Sequence, residues 1–237
     1  MKFATASDGT PDGRLLVVSR DLSCAAPADD ITPNLLVAIE RWDEVEAALK
    51  ARYDEVHAGT ARGICELDLN RLTAPLPRTW QWLDGSVFRT HLHLTVTAFG
   101  IPDVWCDQPL MYQGMSHRFL SPFGDVEFPS HDDDIDFEGE FAVITGPVAM
   151  GTPAEHTGRS IRLITQINDW SLRQQSRDEA MRGFGWIHAK PACTMAPVIV
   201  TPDELGAAWR DFRCDLKLEI AKRLNRFSAF PFTRAMV

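Results

Sequence analysis

Phe137-Glu138-Gly139-Glu140-Phe141-Ala142-Val143-Ile144 is the stretch on which the reading of this chain turns. Successive strand side chains point to opposite faces, so Glu138 and Glu140 share one face while Phe137, Gly139 and Phe141 share the other. Two adjacent carboxylates on a strand bound for the interior repel each other and lose hydration. A divalent cation between them removes both costs. Taken alone, the Glu-x-Glu pattern equally describes a solvated edge strand with two exposed glutamates. A second alternating segment, Ile161 to Asn168, delivers Asp169 at its end.

Asp84, Glu138, Glu140 and Asp169 are the candidate metal ligands. An all-oxygen set suits a hard cation such as Mg²⁺ or Ca²⁺, with Mn²⁺ a third candidate, and disfavours structural zinc. His91 follows Asp84 on a predicted helix, where a neutral imidazole can act as general base for water; a half-buried helix histidine reads the same way. Lys190, after the Gly183-Phe184-Gly185 loop, can stabilise an oxyanion or a carboxylate, or lie on the surface. Tyr112 can donate its hydroxyl to substrate or be a core aromatic with a satisfied hydroxyl. The run Asp132-Asp133-Asp134 reads as a solvated turn. No phosphate-cradling loop, dinucleotide fingerprint or Gly-x-Ser-x-Gly elbow is present.

With 237 residues, 45% of them hydrophobic and 24% charged, the chain can bury a substantial core. A net charge of −9 without a dense basic patch argues against nucleic-acid binding. Five scattered cysteines, none in a Cys-x-x-Cys pair, favour reduced thiols and a cytoplasmic setting. No apolar run is long enough to span a membrane, and Met1 to Ser7 has no signal-peptide core.

The expected fold class is α+β, predominantly β. Lys2–Ser7 and Arg14–Ser19 flank a turn-rich connection and predict a hairpin. Trp42, Val45, Ala48, Leu49, Tyr53 and Val56 share one face of a helix that Gly59 stops. Ala74-Pro75-Leu76-Pro77 marks a boundary between an amino-terminal β-rich module, 1–77, and a larger catalytic domain, 78–237. In the second part a helix is predicted from Ser86 toward Ala98. A capping box at Thr201-Pro202-Asp203-Glu204 predicts a helix over Leu205–Arg210, and a strand is predicted over Asp215–Ile220. Lys222–Val237 is basic and aperiodic, and reads as a docking tail or as sequence foreign to the fold.

In order, Ala74-Pro75-Leu76-Pro77-Arg78, Trp82-Leu83-Asp84-Gly85-Ser86, Pro109 to Gly114, Asp136-Phe137-Glu138-Gly139-Glu140, Asn168-Asp169-Trp170-Ser171-Leu172-Arg173 and Lys190-Pro191 resemble the fumarylacetoacetate hydrolase family of bacterial type. The opening Asp12 to Leu22 resembles its amino-terminal module. The likeness runs to about Ile220.

The resemblance implies a mixed β-roll of the fumarylacetoacetase carboxyl-terminal kind, preceded by a small β-rich module and assembled as a homodimer. It implies that Asp84, Glu138, Glu140 and Asp169 hold a cation, that His91 is the general base, that Lys190 holds developing negative charge, and that Tyr112 contacts substrate. The implied reaction is hydrolysis of a carbon–carbon bond in a small diketo acid such as fumarylacetoacetate, in breakdown of aromatic amino acids. Relatives sharing the cage hydrate or decarboxylate 2-oxo acids, or hydrolyse acylpyruvates, and the motifs do not separate these activities. Two departures stand out. A family glutamine is Ser176 here, beside Gln174 and Gln175, and family members continue beyond this length. The expectation is therefore a member lacking the carboxyl-terminal part, with an inactive metal-binding protein as the alternative to an enzyme.

Overall fold

A computed structural model describes residues 1–100 and 109–221. The amino-terminal hairpin forms as predicted: β1 (Lys2–Ala6) pairs antiparallel with β2 (Arg14–Val18), in register Lys2↔Val18 to Ala6↔Arg14. β3 (Cys24–Pro27), α1 (Leu35–Glu40), α2 (Trp42–Ala58), β4 (Cys65–Glu66) and β5 (Leu72–Thr73) follow. Asn34 opens α1 by accepting the Val37 N–H on its side chain. Gly59 closes α2 in the left-handed conformation, φ 70°, as the predicted stop requires.

The second part contributes β6 (Leu83–Ser86), α3 (Arg89–Phe99), β7 (Leu110–Gln113), β8 (Ile135–Asp136), β9 (Gly139–Thr145), α4 (Ala154–Thr157), β10 (Ile161–Asn168), β11 (Ser171–Leu172), α5 (Arg173–Arg182), β12 (Thr194–Met195), β13 (Ile199–Val200), β14 (Trp209–Arg210) and β15 (Arg213–Cys214). Nine strands form one sheet in the order β12-β10-β13-β1-β2-β3-β4, with β5 on β1 and β9 on β10. The sheet runs across the Ala74–Pro77 break, since β1 pairs with β13 through Lys2↔Val200 and Phe3↔Ile199. The architecture is α+β and sheet-dominated.

Both faces of this sheet are covered. Phe3, Val17, Leu163, Ile167 and Ile199 pack with Leu35, Trp42, Leu49 and Val56 from α1 and α2. Their strand neighbours Ala4, Val18, Ile164 and Val200 form a second cluster on the opposite face. Leu163 to Asn168 on β10 are accordingly all buried.

Three further expectations are corrected. Ser86 does not start a helix: it lies in β6, paired with Leu110, and the extended backbone that makes this ladder is incompatible with a helical turn. α3 begins at Arg89 and ends at Gly100, φ 62°. Thr201 makes no side-chain cap; its hydroxyl donates to the Met1 carbonyl, and Glu204 turns inward to accept from the Tyr53 hydroxyl at 2.7 Å. A 3₁₀ segment over Pro202–Ala208, broken at Gly206, replaces the predicted helix. Asp215–Ile220 forms no strand; the short β14–β15 pair precedes it, and Leu218 and Ile220 lie against Gly139 instead. The basic segment Lys222–Val237 and Cys106 lie outside the described residues. Within those residues no helix is long and apolar enough to cross a membrane.

Leu49 is fully buried where α2 meets the sheet. Leu49→Ala is expected to cost about 2–5 kcal/mol, read as a fall in urea midpoint with little change in slope.

Candidate metal centre

Strand pairing assembles the site. β9 and β10 run antiparallel with Glu140↔Ile167 and Gly139↔Asn168, so Glu138 and Asp169 meet just past the end of the ladder. Two hydrogen bonds lock them there: the Asp169 N–H donates to the Glu138 carbonyl at 2.9 Å, and the Glu138 N–H donates to Asn168 Oδ1 at 3.1 Å. A β-carbon on Gly139 would meet the Ile220 side chain at 3.0 Å, so a larger residue between the two glutamates would have to displace Ile220 slightly. From the other side, β6–β7 pairing sets Asp84 opposite Tyr112.

One carboxylate oxygen from each of Asp84, Glu138, Glu140 and Asp169 lies within 4.8 Å of the others. Asp169 is buried and the remaining three are partly buried. Lys190 is also buried; its Nζ donates to Asp169 Oδ2 at 2.7 Å and to Glu138 Oε2 at 3.1 Å. The Tyr112 hydroxyl donates to Asp169 Oδ2 at 2.5 Å. Of the residues predicted from sequence, these six come together. His91 stands exposed on α3 and is not among the four grouped carboxylates.

Residues that sequence reasoning missed complete the surroundings. Arg173, first residue of α5, pairs with Glu138 at 2.6 Å and Asp136 at 2.7 Å. Ser171 donates to Glu138 Oε1 at 3.1 Å, and the Cys193 thiol donates to Asp169 Oδ1 at 3.1 Å. Trp186 meets the Tyr112 ring edge-on at 5.0 Å between centroids. The Glu179 carboxylate accepts the N–H groups of Ile187, His188 and Ala189, which ties down the segment leading to Lys190. Arg173 sits inside a quoted motif, so its position was visible although its partners were not. Cys193 carries no sequence signal at all. Ser176, the noted departure, is committed to the Leu172 carbonyl, and Gln175 donates to Asp133.

The electrostatics are those of a site short of positive charge. Burial, then Asp84, Asp169 and Glu138, push the Glu140 carboxyl up to about 9. Burial and then Asp169 push Asp84 up to about 6. Burial also works against charge on Glu138, yet Lys190 and Arg173 outweigh it and hold that carboxyl below the usual range. Burial tends to lower Lys190, but Asp169 and Glu138 keep its ammonium above its ordinary value. Burial raises both the Tyr112 hydroxyl and the Cys193 thiol, with Asp169 adding to each, so both remain neutral donors. Lys190 and Arg173 thus leave Asp84 and Glu140 uncompensated, and an oxygen-only set of this kind fits a hard divalent cation.

Residues 82–228, more than half of the chain, match the fumarylacetoacetate (FAA) hydrolase carboxyl-terminal model, and residues 1–78 match the fumarylacetoacetase N-terminal domain 2 model. The chain belongs to the fumarylacetoacetate hydrolase family. Among solved structures it is similar to fumarylacetoacetate hydrolase from psychrophilic Exiguobacterium antarcticum, with 21% identity over 88% of this chain and 69% of that one, TM-score 0.55. It is also similar to maleylpyruvate hydrolase from Sphingobium sp. SYK-6, solved with manganese(II) and pyruvate, with 17% identity over 87% and 69%, TM-score 0.59. A Mycobacterium smegmatis protein designated HpcE gives 17% identity over 87% and 68%, TM-score 0.59. At these identities the likeness establishes the fold. A search of curated proteins returned no match.

A raised carboxyl pKa means the folded state holds a proton that the unfolded state releases, so stability falls as pH rises between the two values. In chelator-treated protein, Glu140→Gln is therefore expected to be more stable than wild type at pH 8. The gap should close toward the ordinary glutamate pKa, about 4.3, in urea titrations across pH. A gap independent of pH would contradict the assigned charge state.

Proposed function

We propose that this chain is a divalent-cation-dependent hydrolase that cleaves a carbon–carbon bond in a small diketo acid, with fumarylacetoacetate as the type substrate, in aromatic amino-acid breakdown. The observation that carries the reading is the convergence of Asp84, Glu138, Glu140 and Asp169 beside Lys190 and Tyr112. A Mg²⁺, Ca²⁺ or Mn²⁺ ion held by the four carboxylates would supply Lewis acidity toward the two oxygens of a β-diketone.

The side chains divide the remaining work. His91, exposed on α3, takes a proton from water as its oxygen attacks the substrate carbonyl. The carbon–carbon bond then breaks, and its electron pair becomes a delocalised enolate whose carbon takes up the proton that His91 removed from water. The Lys190 ammonium, held charged by Asp169 and Glu138, stabilises that negative charge without moving. Tyr112 keeps its proton and fixes one face of Asp169, while Trp186 backs its ring.

Acylpyruvate hydrolysis is the second reading, favoured by the fold shared with the maleylpyruvate hydrolase that was solved with manganese(II) and pyruvate. We further propose a homodimer. The exposed apolar side chains Leu83, Val87, Phe88, Leu110 and Met111 on and beside β6 and β7 support it.

The test is turnover on a panel of fumarylacetoacetate, acylpyruvates and 2-hydroxydienoates, with Mn²⁺ binding measured in parallel. His91→Ala is expected to spare binding and cut turnover by about 10²–10⁴. Glu138→Gln should weaken binding by more than the roughly 10–100-fold of an outer-shell change. Normal Mn²⁺ affinity in Glu138→Gln would remove the ligand assignment, and activity on 2-hydroxydienoates alone would replace the hydrolase. Binding with no turnover on any of these substrates would leave an inactive, cation-binding member. Light scattering is expected to give twice the chain mass, and a monomer would end the dimer reading.

A further inference from the structure

Asp169 is the most enclosed of the four carboxylates, and both its oxygens are engaged. Oδ2 accepts from Tyr112 and Lys190, and Oδ1 accepts from Cys193 alone among the described bonds. The thiol is there because of strand register. β10 and β12 pair through Ile167↔Met195 and Asn168↔Thr194, where the ladder ends, and Asp169 and Cys193 are the residues just beyond that last pair, within hydrogen-bond reach of each other. The Cys193 backbone is held through its carbonyl, and the next residue through its side-chain hydroxyl. The Leu120 N–H donates to its carbonyl at 2.7 Å, and Thr194 accepts the Trp170 indole N–H at 2.9 Å. Cys193 is buried against the main core cluster, so the sulfur has little room to turn away. The group of oxygens able to hold an ion comprises the four carboxylates and not this sulfur.

We propose that Cys193 is a positioning residue for the cation site: its S–H fixes the rotation of the Asp169 carboxylate from behind, opposite Tyr112 and Lys190. The inference rests on the cation-binding reading. Three donors from separate parts of the chain define the plane of a carboxylate, whereas two donors on one oxygen leave it free to swing. A thiol suits the place because it donates without adding a fifth negative charge to a set that already repels itself. It also fills the apolar wall behind the site as a small hydrophobe.

Two measurements on the full chain test this, neither of them activity. Titrated with Mn²⁺, Cys193→Ala is expected to lose roughly tenfold in affinity, as outer-shell changes do. Cys193→Ser, whose hydroxyl still donates, should stay within about threefold of wild type. Alanine binding like wild type, or serine as weak as alanine, would overturn the role of the hydrogen bond. The second readout needs no metal. In infrared difference spectra of wild type against Cys193→Ser, the Cys193 S–H stretch is expected at lower frequency than that of the exposed Cys65, and Asp169→Asn should move it upward. A band indifferent to Asp169→Asn overturns the proposal even if the alanine variant folds poorly. Wild type that binds no Mn²⁺ while showing the shifted band would instead defeat the cation reading, and with it the purpose assigned to the thiol, but not the thiol–carboxylate bond.

Discussion

The register between β9 and β10 is the constraint on which the candidate centre depends. Gly139 opposite Asn168 brings Glu138 to Asp169 and keeps Glu140 on the same side, and a slip of one residue would turn both glutamates away. Nothing local enforces this choice in a strand buried on both sides. The surrounding sheet does: β10 also pairs with β12 and β13, and β13 with β1, so the position of Asp169 is tied to the amino-terminal hairpin. Site and core share one set of hydrogen bonds.

That sharing puts the stability of the fold and the chemistry of the site in opposition. Four carboxylates gathered in a partly to fully buried cluster cost desolvation and repulsion, and only part is returned by Lys190 and Arg173. The raised carboxyls of Glu140 and Asp84 are the residue of that imbalance. Functional sites commonly hold such local conflict within an otherwise consistent structure. Here the conflict is confined to side chains, because the backbone around Glu138 and Asp169 keeps its hydrogen bonds.

The outer supports come from elements that carry none of the four carboxylates. Glu179 on α5 ties down residues 187–189 and so sets where Lys190 emerges. Trp186 in the same loop backs Tyr112, and its indole N–H is satisfied by the Ser176 carbonyl. The wall of the site is therefore braced by bonds to α5, which starts with Arg173 directly after β11, a short way beyond Asp169. A short stretch of chain both supplies a ligand and holds the groups that face it.

Much of this was legible in the amino-acid sequence. Spacing in Phe137–Ile144 put two carboxylates on one strand face, the 42–58 pattern located α2, Gly59 its end, and the ordered motifs pointed to the family and to six side chains that the structure brings together. These features are local: strand alternation, helical period and turn residues act over a few positions. Ser86 as strand, the 3₁₀ turn after Thr201, the path of Leu218–Ile220 over Gly139, and the partners of Arg173 and Cys193 were decided only by tertiary structure. Each depends on what a distant segment places alongside, and pairing register between strands far apart in the chain has no signature in either strand alone.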